Sequence, residues 1–199
     1  YLRGDYPLAS IAGVLAALSK LSGVLVFFAI ALHWLIARRD RQPYFFLSLL
    51  LAVPSYMLLL VFFDYIFTGN IIEPLHRTLN MLTLTGSITF ESSHHIYGTR
   101  PWEWLINYRA MPYYYNPDYT GMISPTLWAL IIPTVGYLCY RIFVRKDKAA
   151  LFAALWFLAT YVTWVPLEFA SNRITYVFYF YPSVGAIAIG LGIALSSLY

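Results

Sequence analysis

The chain has 199 residues, of which 60% are hydrophobic, 19% aromatic and only 11% charged, with a mean hydropathy of +0.65. Soluble domains carry roughly 25% charged residues, so this composition excludes an ordinary soluble fold and predicts an integral membrane protein. The formal net charge of +4 does not mark a nucleic-acid surface. Arg38, Arg39 and Arg41 share one short turn and Arg141, Arg145, Lys146 and Lys148 another, and both turns flank apolar runs. The lone cysteine, Cys139, excludes an internal disulfide framework.

Leu8 to Ile36 is too long for one untilted span, which takes about 20 residues. The polar step Ser19-Lys20-Leu21-Ser22-Gly23 divides it into a short interfacial or half-buried helix, Leu8–Leu18, and a span, Leu21–Ile36. A second span runs from about Tyr44 to Phe67 and tolerates Pro54, because neighbouring helices can satisfy the carbonyl that proline frees. Between Ile71 and Leu84, Glu73, His76, Arg77 and Asn80 alternate with Ile71, Leu75, Leu79 and Leu82 at helical spacing, which predicts a helix lying in the interface plane. Three further spans are expected: about Pro125 to Phe143, Ala149 to Phe169, and Ile174 to Tyr199, the last with Gly185, Gly190 and Gly192 for close helix packing. The expected fold is therefore all-α and polytopic. It has about five transmembrane helices, an interfacial amphipathic helix and a long outer-face loop over about 68–124, in one membrane domain, 1–199.

The two basic turns are separated by two spans and must share a side, which the positive-inside rule places in the cytoplasm. The opposite, outer or lumenal face then collects Lys20, His94, His95, Arg100, Arg109, Glu168 and Arg173. The stretch Glu91 to Tyr115 is the long polar, aromatic-rich segment of the chain and the first place to look for chemistry. His94 and His95 are adjacent and point apart, and no H-x-x-H or H-E-x-x-H spacing exists, so a hydrogen-bonding role is preferred to metal binding. The absence of G-x-S-x-G, Walker and G-x-G-x-x-G motifs leaves hydrolase, NTPase and dinucleotide readings without support.

Trp102, Trp104, Tyr108 and Tyr113–Tyr115 fit an aromatic belt at the interface, with sugar or headgroup contact as the alternative. Arg77 and Arg100 read as solvated or headgroup-facing charges, and Glu168 as a partner for Arg173. Lys20 and Arg173 either snorkel or hold a phosphate at the membrane surface, since two cations at one depth beside a histidine loop suit an oxyanion.

Three motifs together carry a family resemblance. His95-Ile-Tyr-Gly-Thr-Arg-Pro-Trp-Glu-Trp-Leu105, with Arg109 four residues on, resembles the H-P-Y-x-S-x-x-W-x-W-P-L…R loop of the dolichyl-phosphate-mannose–protein mannosyltransferases of the GT-C glycosyltransferase superfamily. Arg173-Ile-Thr-Tyr-Val-Phe-Tyr-Phe-Tyr-Pro182 is similar to that family's R-x-T-F-x-Y-H-F-x-P run, and Ala17-Leu-Ser-Lys-Leu-Ser-Gly23 to its A-x-x-[ST]-K-x-x-G step. The matches fall in family order and span most of the chain. Ile96 stands for the family's usual Pro, Thr99 for Ser and Tyr179 for a frequent His, departures that fit a distant archaeal or bacterial relative in a prokaryotic cell membrane rather than the endoplasmic reticulum.

The resemblance implies the C-terminal transmembrane half of such an enzyme. It implies inverting transfer of a sugar, mannose in that family, from a polyprenyl or dolichyl phosphate to Ser/Thr hydroxyls of an acceptor protein. Lys20 and Arg173 would hold the lipid phosphate; His95, Tyr97, Trp102, Glu103, Trp104 and Arg109 would shape the donor or acceptor side. The family's catalytic Asp-Glu pair has no counterpart here, so the catalytic residue is unassigned and is expected from an N-terminal half or partner chain. The abrupt start at Tyr1 fits a fragment or processed chain. No cofactor or metal is called for, because the lipid carries the activated sugar. The alternatives are a non-catalytic polyprenyl-phosphate-binding or partner-binding subunit, a GT-C enzyme with another acceptor such as lipid A or a glycan, and a channel or transporter. The last is opposed by the lack of an intramembrane charge ladder and of paired broken helices.

Overall fold

The structure, a computed structural model, describes residues 1–38, 42–92, 96–106 and 110–198. It is 74% helical. Among the described residues, three helices are long and apolar enough to cross a membrane: Pro43–Thr68, Lys148–Ser171 and Val177–Ser196. They coincide with the second, fourth and fifth expected spans. The first expected span is a shorter apolar helix, Leu21–Ala37, and the third is broken at Leu130 into α6 (Pro125–Ala129) and α7 (Ile131–Arg145). The chain divides into two compact units, Tyr1–Ser87 and Ile88–Tyr199.

In the first unit, α1 (Tyr6–Ser19) opens with a proline in its first turn and stops where Lys20 turns extended. A 3₁₀ turn, Leu21–Val24, follows and feeds α2 (Leu25–His33). Gly23 is required at this reversal, since a Cβ there would collide with the Ala16 carbonyl. α3 (Gln42–Thr68) packs against α1, and the Ser10 hydroxyl donates to the Ser48 carbonyl at 2.7 Å between them. Tyr6 of α1, Ile30 of α2, Trp34 just after it and Phe45 of α3 form a buried cluster in which the Trp34 and Phe45 rings stack at 4.3 Å.

The amphipathic segment is helical, α4 (Pro74–Ser87), and Glu73 begins it by accepting from the Leu75 and His76 backbone amides. Leu75, Leu79, Leu82 and Leu84 are exposed along it. Arg77 is not a free surface charge as expected: it pairs with Asp64, which is 5% exposed near the end of α3. A carboxylate so far removed from water requires a cation.

In the second unit, α7, α8 (Lys148–Phe157) and α10 (Tyr181–Ser196) pack around Leu138, Ala150 and Ala153, with Ile189 and Ile193 against them. Asp147 caps α8, accepting from the Ala149 and Ala150 amides, and also takes Arg141 Nη2 at 2.6 Å. A wider turn, Leu158–Val162, joins α8 to α9 (Trp164–Ser171), and left-handed Asn172 closes α9 by donating its backbone N–H to the Glu168 carbonyl at 2.8 Å. The all-α expectation is corrected by a hairpin, β1 (Met111–Tyr115) and β2 (Asp118–Gly121), paired Met111 to Gly121 and Tyr115 to Asp118. Its register slips between Pro112 and Tyr114, beside a proline that has no N–H to give a ladder. The tyrosine run in β1 favours an extended, pleated backbone over a helix.

Candidate functional site

Within the second unit, the polar loop is laced to the segment that follows α9. Thr89 bridges Arg173 and Thr99 bridges Thr175. Phe90 N–H donates to the Asn172 carbonyl at 3.0 Å, Ile174 N–H to the Ile88 carbonyl at 3.0 Å, and Thr99 N–H to the Thr175 carbonyl at 2.8 Å. The Thr175 hydroxyl returns a bond to the Thr99 carbonyl at 2.5 Å. These bonds satisfy backbone groups that have no helix or sheet of their own, and they bring two motifs some 75 residues apart side by side.

The tryptophans of the loop do different things. Trp104 is 1% exposed. Its indole donates to Thr99 Oγ1 at 2.9 Å, its carbonyl accepts from Trp128 Nε1 at 3.2 Å, and its ring packs on Tyr161 and Trp164. It pins the loop to the helices. Trp102 is half-buried and stacks on Phe169 at 5.4 Å. Glu103 opens the one-turn helix α5 (Glu103–Ile106), and its carboxylate accepts from the Arg100 backbone N–H at 2.7 Å. Tyr97 is half-buried and hydrogen-bonds to the exposed Tyr115, which holds the Tyr115 hydroxyl above the ordinary phenol value. His95 and Arg109, and also His94, lie outside the described residues.

Arg173 is half-buried; its Nη2 donates to the Tyr179 hydroxyl at 2.9 Å and its guanidinium lies 5.5 Å over the same ring. The Tyr179 ring in turn meets Trp164 at 4.7 Å. Arg173 Nε is buried without a hydrogen-bond partner among the described residues. Lys20 belongs to the first unit, where it is exposed at the kink between α1 and the 3₁₀ turn.

The expected Glu168–Arg173 pair does not form. Glu168, 2% exposed on α9, instead faces Arg100, with Nη1 and Oε1 3.5 Å apart. Arg100 is in turn stacked over Phe90 at 5.0 Å and Trp102 at 5.4 Å. The reason is the turn at Asn172: it sends Arg173 off in an extended segment toward Tyr179, while the Thr99–Thr175 bridge brings residue 100 over α9. Reading along the chain underrated Arg100 and Trp164. An arginine immediately before a Pro-Trp step, and an indole one helical turn from a glutamate, were the available signals.

No family profile matches the chain, and no solved structure matches it. The chain is similar, at 24% identity over 147 residues, to the polyprenol-phosphate-mannose–protein mannosyltransferase of Corynebacterium glutamicum. The alignment covers 67% of this chain and 28% of that protein, so the chain spans under a third of the length of the relative it matches. The likeness is thus a distant one to part of a mannosyltransferase, in a chain whose described residues include three helices long and apolar enough to cross a membrane.

Proposed function

We propose that the chain is part of a membrane glycosyltransferase that moves a sugar, mannose, from a polyprenyl or dolichyl phosphate to Ser/Thr hydroxyls of an acceptor protein on the outer face of a prokaryotic membrane. The observation that carries this reading is the lacing of the His95–Arg109 motif segment to the Arg173–Pro182 motif through the Thr99–Thr175 bridge. Two segments matched separately to one family are neighbours in space, as a shared site requires. In the second unit Arg173 takes the lipid phosphate in this proposal, and His95, Tyr97, Trp102, Glu103, Trp104 and Arg109 shape the donor and acceptor side; Lys20 is the first unit's own candidate cation for such a phosphate.

The acceptor hydroxyl attacks the anomeric carbon as the bond from that carbon to the lipid phosphate oxygen breaks. The hydroxyl proton passes to a carboxylate, and the charge that develops on the leaving phosphate is met by the fixed cations. Nucleotide and metal play no part in this reading. The base is assigned to a segment or partner chain that supplies the Asp-Glu pair. A second reading, a non-catalytic polyprenyl-phosphate-binding subunit, is favoured by one observation. In the second unit Glu103 is held by a backbone amide, Glu91 by Asn172, and Asp147 by Arg141 and the Ala149 and Ala150 amides.

The test is transfer of radiolabelled mannose from polyprenyl-phosphate-mannose to a Ser/Thr-rich peptide, for this chain alone and for the chain joined to its upstream coding sequence. Activity that needs the longer form and is lost in Arg173→Ala supports the enzyme. Lipid binding without transfer in either form supports the binding subunit. Equal binding of the lipid by wild type, Arg173→Ala and Lys20→Ala leaves only snorkelling for the two cations.

A further inference from the structure

Trp164 and Glu168 stand one turn apart on α9, so their side chains lie on one face of the helix. Trp164 Nε1 and both Glu168 carboxylate oxygens are buried with no hydrogen-bond partner among the described residues. Buried polar groups are nearly always satisfied, and a carboxylate with 1% of its side chain exposed is a costly one to leave bare. The 3.5 Å approach of Arg100 supplies charge without a hydrogen bond. A buried ion pair contributes little to stability over apolar residues of equal volume, so stability alone does not account for this one. Arg100 links the cluster to the surface: 43% of its side chain is exposed, and the ring of Trp102 lies 5.4 Å from its guanidinium.

We propose that Arg100, Trp102, Trp164 and Glu168 form a recognition point for sugar hydroxyls, which deepens the proposed function and rests on it. The chemistry decides between ligand classes. An oxyanion drawn to Arg100 would meet the Glu168 carboxylate 3.5 Å from the same guanidinium, and the pair as a whole carries no net charge to attract it. A sugar hydroxyl has no such conflict. It donates to Glu168 and accepts from Trp164 Nε1 or Arg100, while an apolar sugar face can lie on the half-buried Trp102 ring. Arg100 swings aside to admit it, a rearrangement confined to one half-exposed side chain. On this assignment Arg173 reads the phosphate and the Arg100–Glu168 cluster reads the sugar, either of the donor lipid or of a glycan acceptor.

The experiment measures binding of polyprenyl phosphate, polyprenyl-phosphate-mannose and methyl α-mannoside to the purified chain in lipid nanodiscs, for wild type, Glu168→Gln and Trp164→Phe. A thermal melt of each variant controls for folding. Wild type is expected to bind the mannosylated lipid about tenfold more tightly than the bare lipid, and each variant to lose that preference while binding bare lipid as before. Loss of methyl α-mannoside binding alone, with no preference between the lipids, assigns the point to a glycan acceptor. Equal weakening toward both lipids, or unchanged preference in a variant that melts like wild type, overturns the inference. A wild type that binds both lipids equally and no mannoside overturns it too and leaves the phosphate reading standing. A wild type that binds neither lipid overturns the proposed function; mannoside binding sensitive to Glu168→Gln would then keep the sugar site, and no mannoside binding would remove both.

Discussion

Arg173 and Tyr179 are joined twice, by a 2.9 Å bond from Nη2 to the phenol oxygen and by the guanidinium lying 5.5 Å over the ring. The hydroxyl fixes the direction of the arginine fork, and the ring shields one of its faces. The Arg173–Pro182 run thus supplies both a cation and the side chain that aims it.

Tyr179→Phe keeps the ring and removes the hydrogen bond. Polyprenyl phosphate binding should weaken by roughly 2- to 12-fold, the equivalent of one ordinary hydrogen bond, with the melting temperature little changed. Tyr179→His, which restores a polar ring atom, should recover part of the loss. Equilibrium binding in nanodiscs checks this, and full affinity in Tyr179→Phe would show that the tyrosine does not orient Arg173.

Thr99 holds the Trp104 indole through its hydroxyl and Thr175, in the segment after α9, through its backbone. Thr99→Val leaves the indole N–H buried and unpaired and should cost about 1–3 kcal/mol. Trp104→Ala empties a fully buried site and should cost about 3–5 kcal/mol. Denaturation in detergent, followed by circular dichroism, measures both. Thr99→Ser, the residue the resembled family carries there, should be tolerated because it keeps the acceptor.

Gly23→Ala should destabilise the first unit by about 1–3 kcal/mol, because the added methyl meets backbone at Ala16 that cannot swing away. Gly86→Ala, where a Cβ meets nothing, is the matched control and should be neutral or slightly stabilising on a helix. Comparable melting temperatures for the two variants would mean that the reversal at Lys20 is more plastic than its packing implies.

Burial alone would raise the Asp147 carboxyl. The Ala150 amide, the Arg141 guanidinium and the Ala149 amide together outweigh it and hold the group below the ordinary carboxylate range. A lowered folded-state pKa means that the contribution is complete above pH ~4 and fades as pH falls through the lowered value. Asp147→Ala should therefore lower stability by about 1 kcal/mol at neutral pH, and the gap to wild type should narrow in strong acid. A pH series of unfolding midpoints for both proteins reads this directly.

Composition and hydropathy placed the long apolar helices, because a bilayer leaves a 20-residue apolar run few choices beyond a helix that satisfies its own backbone. The spacing from Ile71 to Leu84 likewise gave α4, since one polar and one apolar edge at helical period is a local property. The hairpin escaped notice because its tyrosines alternate with nothing apolar, and its pairing is decided by the turn at 116–117 rather than by period.

The motifs singled out the segments proposed to carry chemistry, and the sequence alone named Lys20, Arg173 and the Trp102–Trp104 pair as candidates. Which charge meets which was not local information. Arg77 looked solvent-facing until Asp64, thirteen residues earlier, came to lie beneath it, and Glu168 was the nearest acid to Arg173 along the chain yet pairs with Arg100. Charge pairs and buried indole bonds depend on separations of a few ångströms between segments joined only by the tertiary fold. Backbone direction at Asn172 and strand-like lacing at Thr99 and Thr175 decided those separations here.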